Sequence, residues 1–241
     1  MSSELAELRR ELRQYANPRR VEELEWFYKT EPGGYGEGDK FLGPMVPQIR
    51  SVAANHFNLV RADLDQLFRS EYHEERLCGL VILTKQFERA KKPELRAELY
   101  DYYLSLYELG AVNSWDLVDV SANRFGRFLL GDPQRTERVM SRTKSENLWV
   151  QRSAIILTFP MIAEYDFEPT IATCTALVNH KHDLIHKAVG WAMREVGKRE
   201  LTPLREFLEI HAATMPRTAL RYAIEKLSPS ERADWLSRKA R

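Results

Sequence analysis

Apolar residues recur at i, i+3, i+4 and i+7 through most of this 241-residue chain, and alternating runs bounded by turn signals are hard to find. That periodicity is the strongest constraint on the fold, because it buries one face of a helix and leaves a strand with no consistent side. Pro18, Pro32, Pro93, Pro133, Pro169, Pro203, Pro216 and Pro229 fall near the edges of the periodic stretches. Proline is tolerated where a helix starts and obstructs one that continues, so this punctuation divides the chain into about fourteen short helices.

Five of those helices carry related elements. They begin at Arg76 (Arg-Leu-Cys-Gly-Leu), Ser114 (Ser-Trp-Asp-Leu-Val), Arg152 (Arg-Ser-Ala-Ile-Ile), Lys187 (Lys-Ala-Val-Gly-Trp) and Arg217 (Arg-Thr-Ala-Leu-Arg), at intervals of 38, 38, 35 and 30 residues. Units of this length are helical hairpins of the HEAT type, and each buries its apolar face against the next. The expected fold is therefore all-α, a superhelical solenoid of HEAT-like helical hairpins whose second helices line a concave groove. One domain over 1–241 is expected, with N-terminal helices over 1–56, a repeat core over 57–228 and a short tail over 229–241. In such a stack Trp115, Asp119, Arg152 and Trp191, distant in sequence, are expected to face one trough. Trp115 and Asp119 are four apart, so a helix carries both on one face, and a π-face beside an anion suits a cation.

Composition narrows the partners. With 36 Lys+Arg against 35 Asp+Glu, no global field favours nucleic acid or membrane, and any basic surface has to be local. One candidate is Arg124, Arg127, Arg135, Arg138, Arg142, Lys144 and Arg152, although such clusters more often form solvated helix faces. Cys78 and Cys174 sit in apolar helical sequence, as buried reduced thiols do. The first ten residues are charged and amphipathic, and no later apolar run approaches the roughly 18 residues of a membrane span. A cytoplasmic location with no membrane association is expected.

Three elements, Ser-Trp-Asp-Leu-Val-Asp at 114–119, Ser-Glu-Asn-Leu-Trp-Val-Gln-Arg at 145–152 and Lys-Ala-Val-Gly-Trp-Ala-Met-Arg-Glu at 187–195, resemble in order and spacing the AlkD-like, HEAT-like-repeat glycosylases of the DNA alkylation repair family. The resemblance runs from about Trp26 to Lys226. It implies hydrolysis of the N-glycosidic bond of N3- or N7-alkylated purines in duplex DNA, without metal or organic cofactor. Oligomeric state is left open by the sequence, a monomer with no obligate protein partner being the simpler expectation. Asp119, Trp115 and Trp191 match the family's catalytic cleft. Arg152, Tyr28 and Arg194 fall to substrate binding, and Arg50, Arg124, Arg127, Lys187 and Arg217 to the DNA backbone. Gly43-x-x-x-Pro47-x-x-Arg50 also fits, whereas the loop Gly33-Gly34-Tyr35-Gly36-Glu37-Gly38 is longer and richer in glycine than the family pattern.

These residue types suit the implied chemistry. An alkyl group on N3 or N7 makes the purine cationic and a good leaving group, and positive charge then grows on the deoxyribose. An ionised Asp119 stabilises that charge and orients water, and the indoles of Trp115 and Trp191 each add roughly 0.5–2 kcal/mol. Arg152 suits a phosphate through its fork of donors. Asp116 reads as a hydrogen-bonding partner in the first helical turn, and Trp26, Trp149 and Trp235 as core. His180, His182 and His186 lack the pattern of a metal site, and residues 33–38 lack the strand and Lys-Ser/Thr ending of a phosphate loop, which leaves a flexible surface loop. Two other readings stay open: a non-catalytic DNA-binding or damage-sensing protein, and a helical-repeat scaffold for protein partners.

Overall fold

The computed structural model describes residues 3–238, and among them the chain is all-α, a run of helical repeats. Fifteen α-helices are present with one 3-10 turn over Gly126–Leu129. They fall into two compact units, Met1–Ser121 and Ala122–Arg241, and the boundary lies inside a helix.

The first unit holds α1 (Ser3–Gln14), α2 (Pro18–Tyr28), α3 (Val46–Asn55), α4 (Arg61–Phe68), α5 (His73–Arg89), α6 (Pro93–Glu108) and the first two turns of α7 (Trp115–Phe125). Its core follows the helical period. Leu5, Leu8 and Leu12 of α1 are fully buried, and Ile49 and Val52 of α3 and Leu77, Leu80 and Leu83 of α5 are nearly or fully so. Pro18 and Pro93 occupy the first positions of α2 and α6, where the missing N–H has no intrahelical partner to lose. α6 and α7 are joined by a buried hydrogen bond of 3.1 Å from the Ser121 hydroxyl to Tyr103 Oη.

The second unit holds α8 (Arg135–Thr143), α9 (Leu148–Ile156), α10 (Phe159–Ala163), α11 (Glu168–Leu177), α12 (Asp183–Arg199), α13 (Leu201–His211), α14 (Arg217–Ala223) and α15 (Pro229–Ser237). Asn147 caps α9, its Oδ1 accepting from the Trp149 amide at 2.8 Å. α12 is the central helix, packed on α9, α11, α13 and α14. It meets α14 through Gly190, where a Cβ would lie 2.4 Å from the Ala219 carbonyl oxygen. Only glycine permits that approach.

All five repeated elements lie in, or run directly into, the second helix of a pair: α4/α5, α6/α7, α8/α9, α11/α12 and α13/α14. The expected all-α repeat architecture is thus present. Cys78 and Cys174 are buried and unpaired in a disulfide, as expected. Trp149 and Trp235 are core residues, but Trp26 is 81% exposed, which corrects its reading as core. The burial of α2 centres on Tyr28, and Trp26 lies on the opposite side of its last turn. The glycine loop is also tied down more than expected. Gly36 donates to the Lys29 carbonyl at 3.2 Å, Tyr35 Oη donates to the Phe27 carbonyl at 3.0 Å, and a Cβ on Gly36 would meet the Tyr28 carbonyl.

Candidate active site

In the first unit, the polar start of α7 is anchored by a buried knot that draws on three separate chain segments. Ser114 Oγ donates to Asp116 Oδ1 at 2.6 Å, and Asp116 Oδ2 lies 2.8 Å from His73 Nε2. The other ring nitrogen of His73, Nδ1, is 3.0 Å from Asp39 Oδ2. Asp39 Oδ1 in turn accepts from Arg76 Nη2 at 2.5 Å and from Asn113 Nδ2 at 3.1 Å. Two carboxylates therefore face one imidazole and one guanidinium.

The shifts within the knot follow from these contacts. Burial pushes the His73 imidazolium down, but the Asp116 charge, with hydrogen bonds to Asp116 and Asp39, outweighs it and raises the pKa to about 9. Burial also opposes ionisation of Asp39 and Asp116. Both are nevertheless held below the ordinary carboxylate range, Asp39 by its hydrogen bond with His73 and the Arg76 charge, and Asp116 by the His73 charge and hydrogen bond. The Tyr28 hydroxyl, buried beside Asp116 and hydrogen-bonded to it, is pushed up.

Aromatic rings cover this knot. Tyr28 stacks on Trp115 with centroids 5.8 Å apart and planes 11° from parallel, and on its other contacts it lies 5.1 Å from Phe41 and 5.0 Å from His73. Phe27 meets Trp115 edge-on at 6.0 Å. Trp115 is left half-buried, as is Asp119 one turn further along α7. Tyr28 is thus a buried support beneath Trp115.

Arg50, the backbone candidate of the first unit, is exposed on α3. Near it Gly43 takes φ +93° and accepts Arg20 Nη1 at 2.8 Å on its carbonyl. The amides of Leu42 and Gly43 both donate to the buried Glu74 carboxylate at 2.9 Å.

In the second unit Trp191 is half-buried on α12, its Nε1 donating to Glu195 Oε1 at 3.1 Å and its ring edge-on to Phe159 at 4.7 Å. Glu195 also borders a cleft of about 440 Å³ lined by Asn123, Arg127, Phe159 and Arg199. Arg152 is only 4% exposed, and its Nη1 donates to the Leu184 carbonyl in the first turn of α12. Arg194 pairs with Glu225 and lies 5.9 Å from the Tyr222 ring centroid.

The remaining cations differ in what holds them. Lys187 pairs with Asp183 at 3.1 Å, and Arg217 Nη2 donates to the Leu236 carbonyl at 2.6 Å. Arg124 and Arg127 are exposed. In the same basic run Arg135 pairs with Asp166, Arg138 with Asp132 at 2.7 Å and Arg142 with Ser153 Oγ at 2.7 Å. The three nearby histidines build the start of α12, with His182 Nδ1 accepting from the Leu184 amide at 3.1 Å. Among the described residues no group of three or more His, Cys, Asp or Glu is placed to hold a metal, and no helix is long and apolar enough to cross a membrane.

Asp116 has the hydrogen-bonding role read from its position in the first turn. Asp39, His73 and Arg76 were not anticipated as site residues. The signal was present in His73-Glu74-Glu75-Arg76, four polar residues where the apolar face of α5 begins, all of them buried.

Fold and site together define an all-α helical-repeat protein with an aromatic and carboxylate-bearing helix start resting on a buried ionic knot. The family model of the DNA alkylation repair enzymes matches residues 8–227, and the chain belongs to that family. Its role is thus DNA alkylation repair, with DNA as the partner. A predicted DNA alkylation repair enzyme from Enterococcus faecalis shares the fold, with a TM-score of 0.67 at 16% identity, over 89% of this chain and 97% of that one. No curated protein matches the sequence.

Proposed function

We propose that the chain is a monofunctional DNA glycosylase that hydrolyses the N-glycosidic bond of cationic N3- or N7-alkylated purines in duplex DNA. The observation that carries this reading is on α7: Trp115 and Asp119 stand on successive turns, both partly accessible, and the Trp115 ring is backed by Tyr28. A carboxylate and a rigid π-face presented together stabilise the positive charge that builds on the deoxyribose as the base departs. The alkylated base leaves neutral, so the leaving group needs no general acid.

Asp119 is assigned the electrostatic and water-orienting role, and Trp115 and Trp191 supply π-faces to the sugar cation. Two such faces contribute roughly 1–4 kcal/mol between them, a small part of the acceleration a glycosylase requires, so the carboxylate dominates. Arg50, Arg124, Arg127, Lys187 and Arg217 are assigned to phosphates, and Arg194 to the substrate nucleotide. Arg152, with so little exposed surface, is assigned first to holding the turn of α12 that precedes Trp191.

The test is release of 7-methylguanine and 3-methyladenine from methylated duplex DNA by the wild type and by Asp119→Asn. Loss of the carboxylate charge is expected to lower the single-turnover rate by on the order of 10²–10³-fold with little change in DNA affinity. Equal rates would remove Asp119 from the mechanism. DNA binding by the wild type without release of either base would favour the damage-sensing alternative.

A further inference from the structure

We propose that His73, bonded through both ring nitrogens to Asp39 and Asp116, is a positioning residue that fixes the first turn of α7 and with it the catalytic face of Trp115. The inference rests on the assignment of Trp115 to the glycosylase reaction. Its basis is geometric. The ring nitrogens lie 3.0 and 2.8 Å from oxygens of two different carboxylates, and a neutral imidazole has one N–H, enough for one of them. Only the imidazolium donates to both.

The position of Trp115 then follows from two connected supports. Through the backbone, Asp116 is the next residue, and its carboxylate is fastened by His73, Ser114 Oγ and the Tyr28 hydroxyl. Through the rings, His73 lies between Phe41, stacked at 5.0 Å and 27°, and Tyr28, tilted at 5.0 Å, and Tyr28 is stacked on Trp115. Loss of the second proton on His73 turns one of the two contacts into a lone pair facing an anion. Asp39 keeps the charged donor Arg76 together with Asn113, whereas Asp116 keeps the neutral donors Ser114 and Tyr28, so the α7 side is the weaker one.

The groups facing His73 are few. They are Asp39 from the loop before α3, Asp116 from α7, the rings of Tyr28 and Phe41, and Arg76 one turn along its own helix, bonded to Asp39. Neighbouring Glu74 is occupied by the amides of Leu42 and Gly43, and Glu75 by Arg9 and Arg13 at 2.9 and 3.1 Å. The imidazolium therefore answers to the two carboxylates, and its titration reports on the start of α7.

Two measurements test this on the full chain. The first is the 15N signature of His73, with the 19F resonance of fluorotryptophan-labelled Trp115 followed from pH 6 to 10. His73 is expected to be protonated on both nitrogens at pH 7.5, and the Trp115 signal to move as His73 titrates near pH 9. The second is base release by wild type and His73→Gln: the wild-type single-turnover rate is expected to decline at alkaline pH, and the variant's to be lower by on the order of 10- to 100-fold at neutral pH and to lack that decline. A singly protonated His73 at pH 7.5, or a Trp115 resonance indifferent to His73 titration, would overturn the proposal. If His73→Gln does not fold, the wild-type spectra decide alone. Co-titration of the two signals in a protein that releases no base would leave His73 holding Trp115 and reject the glycosylase reading instead.

Discussion

Between pH 6.5 and 8.5 the stability of this protein should fall, and His73 is the reason. A group whose folded pKa is raised contributes stability that is fully present below its unfolded value and is lost as pH rises through the folded one. For His73 those limits are about 6.5 and about 9. The unfolded chain releases the proton first while the native state keeps it, so unfolding becomes easier by up to about 1.4 kcal/mol per pH unit in this interval. Over the whole window that amounts to roughly 2–3 kcal/mol, or about 5–10 °C in Tm for a chain of this size. Other shifted groups act outside it. His180 and His211 are pulled below their ordinary value by burial, so their effect is complete near pH 6.5. Cys78 and Cys174 are pushed up by burial and lower stability above about pH 8.5, and Tyr28 and Tyr102 do so only above about pH 10. The assay is urea unfolding of wild type and His73→Gln at half-unit steps from pH 6 to 9. A decline in the wild type that is absent from the variant is expected. Parallel curves for the two proteins would show that the imidazolium is not what holds Asp39 and Asp116 together.

Gly190→Ala should destabilise the second unit by about 1–3 kcal/mol in urea, because the added Cβ enters the Ala219 carbonyl and Tyr222, outweighing the roughly 1 kcal/mol that alanine gains in helix propensity; a stabilised variant would show that α12 and α14 separate at little cost. Arg152→Ala should lower Tm while leaving the slope of log affinity for DNA against log salt unchanged, as expected for a side chain that holds α12. A slope shallower by about one would return Arg152 to the phosphate contact expected from its motif.

Much of the fold was legible because helical repeats announce themselves locally. The period of apolar residues and the proline positions need no long-range information, and the element spacing needs only comparison of the chain with itself. What failed was local burial at a helix end. Trp26 has the composition of a core residue, but α2 turns only Tyr28 inward at that point, and which side of a short helix is covered depends on segments that pack from elsewhere.

The knot was less legible for a physical reason that applies to buried charge in general. Asp39, His73, Arg76 and Asp116 come from a loop and two helices, and each alone resembles a surface residue, since a charged side chain is almost never buried without a partner. Bonded partners 34 to 74 residues apart leave no periodic trace. Burying both carboxylates costs several kcal/mol per ion before their contacts offset it, so sites of this kind seldom repay their cost in stability alone. Here the cost falls at the turn that presents Trp115, whereas the counterpart helix α9 carries no carboxylate and its buried Arg152 donates to the Leu184 carbonyl. An ionic support at that one repeat is what a site needing a fixed indole would require, and a double-mutant cycle between His73→Gln and Trp115→Phe checks it. Coupled losses in base release are expected; strictly additive ones would make the knot a matter of folding only.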